Sequence, residues 1–161
     1  MLHWSHYIFI LLVLFDVSSS QRKSQKKSLS RGWGDGIVWV PSYMEGLEKM
    51  KESNKPLMVI HHLDNCPFSQ ELKKAFVEYK DIQEMAKADF IMFNTLNETT
   101  DKNLAPDGYY VPRILFIDPS MTVRADIVSR YSNRLYAYEP NDMELLLSNM
   151  KKAKLLLHNE L

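Results

Sequence analysis

The run Leu57-Met58-Val59-Ile60-His61-His62-Leu63, followed at once by Asp64-Asn65-Cys66-Pro67, limits this chain to few folds. A nearly continuous apolar stretch of strand length suits a strand covered on both faces, which places it at the centre of a sheet. Proline is tolerated at the first position of a helix, so Cys66 sits where a central strand gives way to a helix. The following segment supports this, with Leu72, Ala75, Phe76 and Tyr79 at helical spacing.

The other elements arrange themselves around that core. Ile37-Val38-Trp39-Val40 reads as a short strand after Gly32, Gly34 and Gly36. Ser42 caps a helix through Tyr43, Leu47 and Met50 that ends at Ser53-Asn54-Lys55-Pro56. Phe90–Asn94 is a strand, 95–110 is a long polar loop, and Arg113–Ile117 is a strand turned by Asp118-Pro119-Ser120 into a hairpin partner at 122–126. A last helix begins at Asn141-Asp142 and carries late lysines. The order β, α, β, α, β, loop, β, β, α argues an α/β sheet protein. At 161 residues there is room for one domain with a substantial core.

Charge and cysteine content remove several classes of function. Twenty Lys and Arg balance twenty Asp and Glu, so total charge gives no reason to expect nucleic acid as a partner. One cysteine excludes an intramolecular disulfide and any multi-thiolate metal cage built from one chain. His61 and His62 are neighbours on a strand and point to opposite faces, so one ion cannot use both, and no metal site or cofactor is expected. Any thiol chemistry is that of Cys66 alone. Free amides and the helix dipole at its position favour the thiolate.

The ends carry addresses. Residues 1–20 hold an apolar block, Tyr7–Phe15, and then Val17-Ser18-Ser19-Ser20, the pattern of a cleaved secretory signal peptide. The block is shorter than the roughly 20 residues of a membrane-spanning helix. Residues 21–30, with Arg22, Lys23, Lys26 and Lys27 among Ser and Gln, read as a disordered basic leader, so that the folded domain occupies 31–161. The ending His158-Asn159-Glu160-Leu161 is similar to the retrieval tetrapeptides of the endoplasmic reticulum. Asn97-Glu98-Thr99 is an N-glycosylation sequon. Together these predict the endoplasmic reticulum lumen, with escape to the secreted pool.

Cys66-Pro67-Phe68-Ser69 after a buried strand, with Val111-Pro112 before the next, resembles a thioredoxin-fold C-x-x-C site whose second cysteine is Ser69. Leu29–Asp35, Lys55–His62, Pro106-Asp107-Gly108, Tyr110–Arg113 and Arg130–Tyr136 resemble the anterior gradient proteins, secretory members of the protein disulfide isomerase group. The resemblance implies a single thioredoxin-like domain, a central mixed β-sheet flanked by helices. It implies that Cys66 attacks a client disulfide while Ser69, lacking a thiol, cannot resolve the mixed disulfide. Such a chain is not a dithiol oxidoreductase and has at most monothiol exchange or isomerase activity.

Further positions follow from the same resemblance. Pro67, Phe68, Val111 and Pro112 would meet the client, and the Val111-Pro112 bond would be cis. The buried acid that dithiol members keep six residues before the first cysteine is replaced by Ile60. Glu45 and Lys49 would lie in a homodimer contact, whereas on residues alone they form a solvated pair on one helix. The implied partners are client secretory proteins. The alternative is a secreted signalling ligand for a small disulfide-rich cell-surface receptor, acting in growth, development or regeneration.

Overall fold

The computed structural model describes residues 28–96 and 101–155. The segment read as a signal peptide, most of that read as a leader, Asn97 and the ending His158–Leu161 lie outside the described residues.

Three strands form a sheet in the order β2-β1-β3: β1 (Leu57–His61), β2 (Ile91–Thr95) and β3 (Arg113–Ile117). β1 pairs parallel with β2, Ile60 opposite Asn94, and antiparallel with β3, Ile60 opposite Ile114. The apolar run is therefore the central strand of a mixed sheet, and all five of its residues are buried. Alternation divides its side chains between two cores. Met58 and Ile60 join Leu72, Phe76, Ile82 and Met150 on one face, and Leu57 and Val59 join Val40, Met50 and Leu115 on the other.

Helix α1 (Tyr43–Ser53) covers the second face. Its capping residue Ser42 accepts a hydrogen bond from the Glu45 amide at 3.2 Å, and Asn54 ends it in the left-handed region. Gly46 within α1 is buried, and a Cβ there would lie 3.1 and 3.2 Å from the two Leu57 methyl carbons. Close approach of helix to strand is what this glycine permits.

The first face carries α2 (Pro67–Glu78), α3 (Lys80–Asp89) and α4 (Met143–Leu155). Tyr79 both ends α2 and begins α3, so the two helices follow each other without a loop. Helix α3 is additional to the elements that the sequence pattern predicts. The last helix is preceded by a single turn, Pro140–Asp142, fixed by reciprocal capping between Glu139 and Asp142.

Two sequence expectations shrink to single bridges. The strand expected at 37–40 pairs only through Trp39 with Met92, because Gly34 and Gly36 bend the approach and Pro41 ends it. The hairpin partner expected at 122–126 pairs only through Val123 with Ile117, after a tight turn in which the Asp118 amide donates to the Thr122 carbonyl at 3.0 Å. At the other end, Ser28–Ser30, which composition assigns to the leader, are tied into the fold. Asn94 donates to the Leu29 carbonyl at 2.9 Å and Ser30 is buried, so the described fold starts before residue 31.

Candidate functional site: a monothiol at a helix start

Cys66 is the residue that caps α2, with Pro67 at its first turn. The strand supplies the position and the proline supplies the sharp entry, since its ring presets helical φ and its missing N–H would have no partner there. Cys66 is partly exposed and unbonded to another sulfur, and Pro67 and Phe68 are exposed. Ser69 is fully buried, and its hydroxyl accepts a hydrogen bond from the Leu63 amide at 3.3 Å. That bond ties the first turn of α2 to the loop that leaves β1.

Partial burial alone pushes the Cys66 thiol up. The Ser69 hydroxyl and the backbone amides of Ser69 and Phe68, all aimed at the sulfur, outweigh it and hold the thiol below its ordinary value. The Ser69 hydroxyl, three residues after the thiol, thus favours the thiolate form of Cys66. No buried carboxylate lies at Ile60, which is fully buried between Asn94 and Ile114.

The Val111-Pro112 peptide bond is cis and leads into β3. Phe68, Val111 and Pro112 line one cleft, together with Glu71, Tyr110, Arg134, Tyr138, Glu139 and Pro140. Cys66 and Pro67 stand just before Phe68 in the chain and outside that lining. Sequence pattern marks one wall of the cleft, Phe68, Val111 and Pro112, and gives no sign of the other. Arg134 to Pro140 are more than twenty residues from the proline, and their arrival depends on the path between β3 and α4.

That second wall is held by a polar network. Tyr110 donates to Asp107 at 2.7 Å and accepts from the Tyr136 amide at 3.0 Å, and Asp107 also accepts from the Leu135 amide at 2.7 Å. Arg113, fully buried, donates to the Gly108 and Tyr110 carbonyls and to Nδ1 of His61 at 3.1 Å. The loop before the cis bond is therefore fixed from both sides.

His61 and His62 do face opposite sides of the sheet. His61 meets Arg113, and His62 meets Asn94 and packs edge-on against Trp33. Burial and the Arg113 charge lower His61 to about 3, and burial, partly offset by Asn94, lowers His62 to about 4, so both are neutral at pH 7. Among the described residues no group of three His, Cys, Asp or Glu side chains is placed to hold a metal. Glu45 and Lys49 lie on α1, 3.1 Å apart as a pair within the helix.

Residues 38–119 match the thioredoxin-like family model. Over 165 aligned residues the chain is 56% identical to anterior gradient protein 3 of mouse, covering all of both chains. The human protein of that name is 56% identical across all of this chain and 99% of its own. Human anterior gradient protein 2 homolog is 61% identical over 144 residues, which is 89% of this chain and 82% of that one. The chain belongs to the anterior gradient proteins. Its fold is thioredoxin-like, as the resemblance of Cys66–Ser69 and Val111-Pro112 implied. Cys66 is the single cysteine of the sequence, so the site has one sulfur, with Ser69 three residues on.

Proposed function

We propose that this anterior gradient protein binds secretory clients in the endoplasmic reticulum through mixed disulfides at Cys66, helping them to fold without cycling as an oxidase or reductase. The observation that carries the reading is a partly exposed thiol at a helix start, held below its ordinary pKa, with a buried hydroxyl where a resolving thiol would stand. The Cys66 thiolate attacks one sulfur of a client disulfide. A Cys66–client bond forms as the client bond breaks, and the displaced sulfur leaves as a thiolate that takes its proton from water. Ser69 cannot repeat the attack. Release waits for a thiol of the client, which gives isomerisation, or for an external thiol.

The signal-peptide pattern of residues 1–20 and the retrieval-like ending support lumenal residence, where disulfides persist. Phe68, Val111 and Pro112 would contact the client, and Glu45 and Lys49 would turn outward to a second copy. The test is recovery of covalent complexes from secretory cells whose free thiols have been blocked with an alkylating agent. Non-reducing gels should show a ladder of adducts for the wild type that collapses on reduction and is missing from Cys66→Ser. An identical ladder from both proteins, or none from either, would overturn the reading.

A further inference from the structure

The cleft that begins at Phe68, two residues after Cys66, has a volume of about 140 Å³, well below the roughly 300–1,000 Å³ of pockets that take small molecules. It is the size for one long side chain. Its apolar wall consists of rings and proline, with Phe68 75% exposed and Tyr138 and Pro112 buried behind it. Its charged lining is Glu71, Glu139 and Arg134. The Arg134 guanidinium already lies over the Tyr110 ring, 5.7 Å from its centre, and the neighbouring Arg130 is paired with Asp142 at 3.0 Å. The lining thus presents two carboxylates against one guanidinium; that guanidinium stacks on Tyr110, and the Glu139 carboxylate accepts from the Asp142 amide, which leaves a net negative lining in which Glu71 is the exposed carboxylate.

We infer that this cleft receives a Lys or Arg side chain of the client, one or two residues from the cysteine that joins Cys66. The inference rests on the thiol-exchange reading of Cys66 and adds what that site selects. Ring faces suit both the methylene stem and the cationic head of such a side chain, and the head reaches the carboxylates of Glu71 and Glu139. Arg134 on Tyr110 is the same contact made within the chain. A client carboxylate would instead meet a lining whose charge is negative overall, two carboxylates against Arg134, and repulsion discriminates as well as attraction does.

The test uses short peptides whose single cysteine carries a thionitrobenzoate, with Lys and Arg, Gln, or Glu at the flanking positions. Attack by Cys66 on the peptide sulfur forms the Cys66–peptide disulfide and releases coloured thionitrobenzoate, so the rate is read directly. Each rate is divided by that of N-acetylcysteine thiolate with the same peptide, which removes the peptide's own reactivity. The basic peptide should exceed the neutral one by about fivefold, the acidic one should be slowest, and added salt should narrow the spread. Glu71→Gln, a change at an exposed position, should cut the basic-to-neutral ratio by about half or more, while Arg134→Gln should widen it.

Equal normalised rates for all three peptides, or an acidic peptide ahead of the basic one, would overturn the inference and leave the thiol-exchange reading standing. So would a basic preference that Glu71→Gln and Arg134→Gln leave unchanged. No release by wild type beyond that of Cys66→Ser with any peptide would remove both.

Discussion

At the scale of single residues, the chemistry turns on how three positions share the start of α2. Cys66 supplies sulfur, Pro67 shapes the entry, and Ser69 supplies a buried hydroxyl that helps to hold the thiolate. Alkylation of Cys66 should therefore follow a pH midpoint below the ordinary value of about 8.5 for a free cysteine. Ser69→Ala should move that midpoint upward, because one donor to the thiolate is lost while the backbone amides remain. A midpoint that does not move would assign the activation to the backbone alone. Cys66 and Pro67 were legible in the sequence because strand end and helix start coincide there. The role of Ser69 was only half legible: the sequence showed that it cannot resolve a disulfide, and the fold shows that it is buried and aimed at the sulfur.

Among the elements, β1 and α2 were readable because their patterns are strong, a continuous apolar run and a helical stripe behind proline. Helix α3 was not. Its apolar positions are few, Ile82, Met85 and Ala86, and Tyr79 starts it without a side-chain cap. It is helical because it lies against the core built by α2 and α4, a case of packing prevailing over a weak local signal. Contact between elements also explains Gly46, which by helix propensity alone costs about 1 kcal/mol relative to Ala. In the fold it admits Leu57 against α1. Gly46→Val should lower stability by about 2 kcal/mol, since the added carbons meet a packed leucine and a β-branched residue is no strong helix former. The midpoint of urea unfolding measures this, and an unchanged midpoint would mean that α1 can shift outward at little cost.

For the whole molecule, the buried histidines couple folding to pH. In the unfolded chain each binds a proton near pH 6.5, whereas in the fold His61 and His62 stay neutral down to about 3 and about 4. The unfolded state thus binds more protons below pH 6.5, and stability present above that pH falls as pH drops toward 4. Urea midpoints should be level from pH 8 to 7 and decline between pH 6.5 and 4.5 by an amount equivalent to a few kcal/mol. His62→Gln should flatten part of the decline. A curve that is flat through that window would contradict the burial of both rings as neutral species.

The second wall of the cleft comes from Arg134–Pro140, brought to the cis bond by the network of Asp107, Tyr110 and Arg113. Sequence periodicity cannot report such an arrival, because the segment forms neither strand nor long helix. Whether Cys66 is a client nucleophile held in the mixed-disulfide state for want of a resolving thiol is decided by Ser69→Cys. The new thiol would stand one turn along α2 and attack the Cys66–client bond. Covalent adducts on non-reducing gels should fall sharply while disulfide reductase activity, driven by an external thiol reductant, rises from near zero to a modest level limited by the absent acid at Ile60. Adducts and reductase activity both unchanged in Ser69→Cys would contradict that role for Cys66.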